Sequence, residues 1–282
     1  MLKDITLGQY FPGNSVIHRL DPRAKILLSI VYIVTIFLAR NLFSFIALAI
    51  SAFLLIALSQ IPLKTILRGL KPIFFILIFT ALINIFLTVG EGETPLLDWR
   101  PSVSWFHITI YPSGVLRAVF TALRVVVLII ATSVLLTYTT SPITLTDAIE
   151  DLLGPLKRVR VPVHDIAMII TIALRFIPTL IEETDKIINA QKARGADFES
   201  GSLVRRAKAL VPVLVPLFVS AFKRADDLAV AMECRCYRGD KGRTKLNKLE
   251  YHLRDAFAFV AFFAFLALVL WANYLNLTGI GL

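Results

Sequence analysis

Cysteine is nearly absent: Cys234 and Cys236 are the only two in 282 residues. They stand one residue apart, so no disulfide framework can staple the chain. Histidine is scarce as well. His18, His107, His164 and His252 are scattered singly, without the spacing of a metal cluster, so no metal site and no cofactor is expected. Charge is thin, at 18% of residues against 57% hydrophobic, and mean hydropathy is +0.74. An ordinary soluble domain carries about 25% charged residues, so a single water-soluble globule is excluded. Catalytic patterns are missing too. There is no G-x-x-x-x-G-K-S/T phosphate loop, no G-x-G-x-x-G after a strand, no H-E-x-x-H, no nucleophile elbow and no paired inward carboxylates. Gly90-Glu91-Gly92 is a lone G-x-G and reads as a turn. The chain is therefore expected not to be an enzyme. Residues 1–21 are polar and lack the apolar core of a secretory signal.

What is present is apolar sequence in long uncharged runs: residues 26–39, 41–63, 72–90, 125–146 and 256–282 contain no Asp, Glu, Lys or Arg. A spanning helix needs roughly 20 apolar residues. Four runs reach that length; 26–39 is the weakest crossing, which spans only if Arg40 snorkels or the bilayer thins and otherwise forms a shallow hairpin with the next run. The fold class is all-α: a polytopic membrane protein with about five transmembrane helices. With the N-terminus inside, residues 1–25, 62–71 and 140–255 face the cytoplasm and hold 26 of the 30 Lys and Arg. The positive-inside rule selects that orientation, with the C-terminus outside. The protein is thus expected in the cell membrane, multi-pass, with a cytoplasmic N-terminus. An external loop from Glu91 to Tyr111 then carries Glu91, Glu93, Asp98, Trp99, Trp105 and Tyr111. Arg124 falls on the fourth helix, about ten residues inside Gly114 and so about 15 Å deep. Either it faces a partner or the bundle interior, or the helix begins deeper and Arg124 snorkels outward.

The chain divides by charge into N-terminal membrane helices (1–139), a charge-mixed helical region (140–255) and a C-terminal transmembrane helix (256–282). The middle region holds 19 Lys and Arg with 15 Asp and Glu, net +4, too balanced for a nucleic-acid binder. Two stretches in it, 161–181 and 207–222, approach spanning character, but the first carries Asp165 and Arg175. The second contains Pro212 and Pro216 and is hemmed by cations. Both are expected to lie along or beneath the membrane.

An internal echo runs through this region at an offset of 41 residues. Asp185 aligns with Asp226, Ile187 with Leu228, Ala190 with Ala231 and Arg194 with Arg235. Each copy ends in an arginine between small residues, Ala193-Arg194-Gly195 and Cys234-Arg235-Cys236. Small neighbours let a helix end approach another surface, and guanidinium offers a planar fork of donors to carboxylates or carbonyls. Glycine stops the first helix by adopting positive φ. In the second copy, with cysteine on both sides, termination is expected to shift to Gly239. Asp21 and Pro22 read as N-cap and first residue of the first helix. The first three spanning runs are plain Leu, Ile, Phe and Ala, with Asn84 a rare polar exception, whereas a permease that binds its own solute, the alternative reading, would line them with polar groups.

Together with His18-Arg19-Leu20-Asp21-Pro22-Arg23-Ala24-Lys25, the two arginine triplets strongly resemble signatures of the transmembrane T component of energy-coupling factor (ECF) transporters. This is a group within the ATP-binding-cassette importers, and the three motifs occur in the expected order over the whole chain. The resemblance implies an all-helical, non-catalytic scaffold whose long cytoplasmic helices cross as an X. Each arginine-bearing end would seat in a groove of one of two cytoplasmic ATPase subunits, which makes Ala193, Arg194, Gly195, Cys234, Arg235 and Cys236 the ATPase-coupling residues. It also implies a membrane S component that captures a vitamin or metal ion and docks against the scaffold.

Overall fold

A computed structural model of the chain describes residues 10–87, 97–99, 108–159, 161–198, 202–239 and 249–275. It is helical apart from one small hairpin. Among the described residues, five helical segments are long and apolar enough to cross a bilayer: Leu42–Ser59, Leu63–Leu87, Pro112–Tyr138, Val163–Ala193 and Leu253–Leu275. The chain is an all-α polytopic membrane protein. It forms two compact units, one made of Gln9–Ser141 with Leu249–Leu282, the other containing Pro142–Lys248.

The first unit is built on α1 (Pro22–Leu38), α2 (Leu42–Ser59), α3 (Leu63–Leu70), α4 (Phe74–Leu87), α5 (Pro112–Thr132) and, after the excursion through the second unit, α9 (Leu253–Leu275). α1 packs on α9 and α5, and α2 on α5 and α9. Tyr32 stacks on Phe265 at 5.9 Å and meets Phe262 edge-on at 5.8 Å, while Phe45 stacks on Phe120 at 4.6 Å. α1 has 17 residues, about 25 Å of helix, short for a hydrocarbon core of about 30 Å. Its buried positions, Ala24, Lys25, Leu28, Ser29, Tyr32, Thr35 and Ile36, recur every three to four residues and turn one stripe to the core.

The fourth crossing differs from the uncharged run 125–146. The helix starts at Pro112, runs through Arg117 and Arg124, and continues as a π-helical segment, Ser133–Tyr138. It stops before Pro142, which opens the next helix. Arg124 is accommodated because its Nη2 donates to the carbonyl of Ala39 at 2.9 Å, the C-cap of α1, with the guanidinium 5.4 Å from the Phe45 ring. Of the two orientations left open, it takes the bundle-facing one. This unit also holds strands β1 (Leu97–Trp99) and β2 (Ile108–Ile110), antiparallel with Asp98 opposite Thr109. Gly90, Glu91, Gly92, Glu93, Arg100, Trp105 and His107 lie outside the described residues.

In the second unit α6 (Pro142–Leu152) and a 3₁₀ turn (Gly154–Val159) lead to α7 (Val163–Ala193) and α8 (Leu203–Cys234). Glu150 on α6 meets His164 Nδ1 on α7 at 3.0 Å. The stretch 207–222 is not a short helix of its own but the middle of the 32-residue α8. Pro212 and Pro216 interrupt the backbone ladder without ending the helix, and Pro178 does the same in α7.

Candidate coupling site

The two arginine triplets stand at matching helix ends. Arg194 is the C-cap of α7 and Arg235 the C-cap of α8. After each, one residue takes the left-handed conformation: Gly195 at φ +86° and Cys236 at φ +57°. The hydrogen bonds repeat as well. Gly195 N–H donates to Lys192 C=O and Ala196 N–H to Gln191 C=O, both at 3.0 Å. Cys236 N–H donates to Glu233 C=O at 2.8 Å and Tyr237 N–H to Met232 C=O at 3.0 Å. Each pair is a Schellman closure, which satisfies carbonyls that the helix end leaves open. Termination at the second site therefore does not shift to Gly239. Cys236 itself turns the chain, and Gly239 supplies a second positive φ of +74° three residues later. The closure needs its positive φ directly after the C-cap, and Cys236 adopts it although a side chain there is disfavoured by about 1–2 kcal/mol.

Ala193, Arg194, Gly195, Cys234, Arg235 and Cys236 are all exposed. Neither arginine has a side-chain hydrogen bond or ion pair among the described residues, and both thiols are free. What joins the two helices is an ion pair, Arg224 Nη2 to Glu183 Oε2 at 2.9 Å, with Arg224 Nε donating to Ser220 Oγ at 3.4 Å. Glu183 and Arg224 are separated by 41 residues, the offset of the internal echo, so the helices touch at equivalent positions. Glu183 stands eleven residues before Arg194, and Arg224 eleven before Arg235. Each exposed guanidinium is therefore carried about 16 Å beyond the contact. The arrangement presents two like cationic tips at matching helix ends.

The N-terminal signature is structural in this fold. Asp21 is the N-cap of α1, its Oδ1 accepting from Arg23 N–H at 2.8 Å, with Pro22 at the first helical position. Arg23 closes back on Asp21 at 3.0 Å and lies 4.2 Å above the Tyr251 ring. Lys25, 1% exposed, places its ammonium among three oxygens: Thr139 C=O at 2.9 Å, Thr140 Oγ1 at 3.3 Å and His18 C=O at 3.3 Å. These satisfy its three donors. His18 is held in turn, its Nε2–H donating to Phe11 C=O at 2.9 Å while Nδ1 pairs with Ser15 Oγ at 2.6 Å. One residue of this knot went unread in the sequence. Asp255, 2% exposed, accepts from Asp21 N–H on Oδ1 and from His252 N–H on Oδ2, both at 2.8 Å. The second bond is half of a capping box at the start of α9, a local pattern that could have flagged it.

Fold and site define a class: a multi-pass helical membrane protein with two matched arginine-capped arms and no catalytic constellation in its sequence. The family model for CbiQ, described as a cobalt transport protein, matches residues 13–246. A relative in Ruminiclostridium cellulolyticum, named energy-coupling factor transporter transmembrane protein EcfT, is 53% identical over 251 residues, covering 89% of this chain and 90% of its own length. Relatives of the same name in Clostridium kluyveri (53% over 258 residues; 92% and 93% covered) and Bacillus subtilis (45% over 269; 95% and 98%) agree. The chain belongs to the family of transmembrane T components of energy-coupling factor transporters.

Proposed function

We propose that this chain is the non-catalytic scaffold of an ECF-type importer, coupling ATP hydrolysis by two cytoplasmic ATPase subunits to uptake of a vitamin or metal ion through a membrane S component. Residues 140–255 are the cytoplasmic coupling region in this reading. α7 has the length of a crossing, but Asp165, Arg175, Glu182, Glu183, Asp185, Lys186 and Lys192 make it costly in hydrocarbon. The family and the names of its relatives support the transporter assignment. The observation that carries the coupling role is the duplication of one cap geometry at two helix ends, each with an exposed, unpaired guanidinium. A pair of ATPase subunits needs two such equivalent contacts, and a solute-binding permease has no use for them.

The test is to measure uptake and co-purified ATPase for Arg194→Ala, Arg235→Ala and the double variant Arg194→Glu with Arg235→Glu. Removing one arginine from a desolvated docking groove should cost about 2–5 kcal/mol of binding, and lysine should rescue poorly because it lacks the planar fork. The double reversal should abolish both uptake and co-purification. Solvated C-terminal cations would contribute under about 1 kcal/mol each, so near-normal uptake in the double variant would overturn the coupling role.

A further inference from the structure

Between α3–α4 and α5, in the first unit, runs a groove of about 870 Å³ whose walls are apolar apart from Lys64, Arg68 and Lys71 at one end. The three cations are spaced i, i+4 and i+7 along α3 and the residue that caps it, so they share one face. Like charges at that spacing repel, yet no acid answers them. Residues 22–90 contain no Asp or Glu, and none of the three has a side-chain hydrogen bond or ion pair among the described residues. Beyond the cations the lining is Phe74, Leu77 and Ala81 on α4 and Ala122 on α5. The two alanines keep the groove open. From Lys71 to Ala81 it extends about 15 Å along the helix, half of a hydrocarbon core of about 30 Å.

From this we infer a site for an anionic phospholipid, its headgroup phosphate on Lys64, Arg68 and Lys71 and its acyl chains along Leu77, Ala81 and Ala122. A soluble anion would use the cations but not the apolar trough. A peptide would leave its backbone groups unanswered against an apolar wall. A second apolar helix would fill the trough and leave three cations desolvated without a counter-charge. An amphiphile with a negative head and a tail one leaflet long satisfies both ends, as basic pockets at membrane edges do for acidic lipids. The site does not rest on the coupling role; it requires only that residues 62–71 lie at a membrane face.

The experiment equilibrates the purified full chain with mixed micelles holding equal phosphatidylglycerol and phosphatidylcholine and reads retained lipid by native mass spectrometry. Phosphatidylglycerol should be retained about 10-fold or more over phosphatidylcholine. The triple variant Lys64→Gln, Arg68→Gln, Lys71→Gln should lose that preference, and Ala81→Trp should reduce retention of both lipids. Circular dichroism is expected to show unchanged helix content in each, and a photo-reactive residue at Leu77 in native membranes should cross-link to phospholipid. Should a variant lose helix content, the wild-type preference and the Leu77 adduct decide alone. Equal retention of the two lipids by the wild type, a preference that survives in the folded triple variant, or a Leu77 adduct to a protein chain would overturn the site.

Discussion

At the scale of single residues the tightest contact is between Gly69 on α3 and Tyr138 at the end of the π-helical segment. A Cβ on Gly69 would stand 2.6 Å from the Tyr138 hydroxyl, and the tyrosine is buried at 2% exposure, so one of the two must shift inside a packed site. Two effects of Gly69→Ala oppose each other. Alanine in a helix is worth about 1 kcal/mol over glycine, while overpacking costs about 1–3 kcal/mol. The clash should win, with a net loss of up to about 2 kcal/mol. In a Tyr138→Phe background the nearest ring atom is at 3.9 Å, ordinary contact, and Gly69→Ala should change sign and stabilise. Thermal melts of the four chains in detergent check this; a loss of equal size in both backgrounds would dismiss the contact. The same scale shows what a sequence conceals. Asp21 and Pro22 were readable as cap and first turn because their partners are two residues away. The buried bond from Asp21 N–H to Asp255 spans 234 residues, and the acceptors of Lys25 lie as far off as Thr140, so only tertiary structure brings them together.

Helix ends are the informative feature at the scale of elements. The closure after Arg194 uses glycine, and that after Arg235 uses cysteine at φ +57°. Cys236→Gly should therefore stabilise the end of α8 by about 1 kcal/mol. Gly195→Ala should weaken the end of α7 by a similar amount, and purely through the backbone, because a Cβ there meets nothing within 4 Å. Amide hydrogen exchange over residues 190–197 and 231–238 should slow in the first variant and quicken in the second; an unchanged Cys236→Gly would mean that the cap carries no strain. The sequence pointed to arginine, small neighbours and glycine, but not to which residue turns the chain, because cysteine seldom takes positive φ and Gly239 was the easier candidate. α2 and α4 were legible because nothing charged interrupts them, and α9 because it is uncharged after Asp255 in its first turn. α5 was legible as a helix running inward from about Gly114 through Arg117 and Arg124, and it starts at Pro112; the partners that hold Arg124, the carbonyl of Ala39 and the Phe45 ring, are remote in sequence and were not. The continuity of α8 was hidden by Pro212 and Pro216.

For the whole molecule the decisive quantity is where the positive charge lies. Lys and Arg are concentrated in 1–25, 62–71 and 140–255, and placing all three segments on one side leaves four cations elsewhere. The opposite orientation would expose nineteen positive charges of the middle region outside, against the bias that sets topology. α1, although only 17 residues long, must then cross with local thinning of the bilayer or snorkelling by Arg40. On the proposed reading α7, despite its spanning length, stays on the cytoplasmic side. Native residues report on both ends of this arrangement. Cys234 and Cys236 are exposed at the tip of α8, and Tyr274, 88% exposed, lies at the far end of α9. In intact cells a membrane-impermeant maleimide should leave Cys234 and Cys236 unlabelled. In a Cys234→Ser, Cys236→Ser background it should label Tyr274→Cys. Inverted vesicles stripped of peripheral subunits should reverse the pattern. Labelling of the native cysteines from outside intact cells would place the arginine tips on the wrong side of the membrane for any cytoplasmic ATPase, and the coupling role would fall with the orientation.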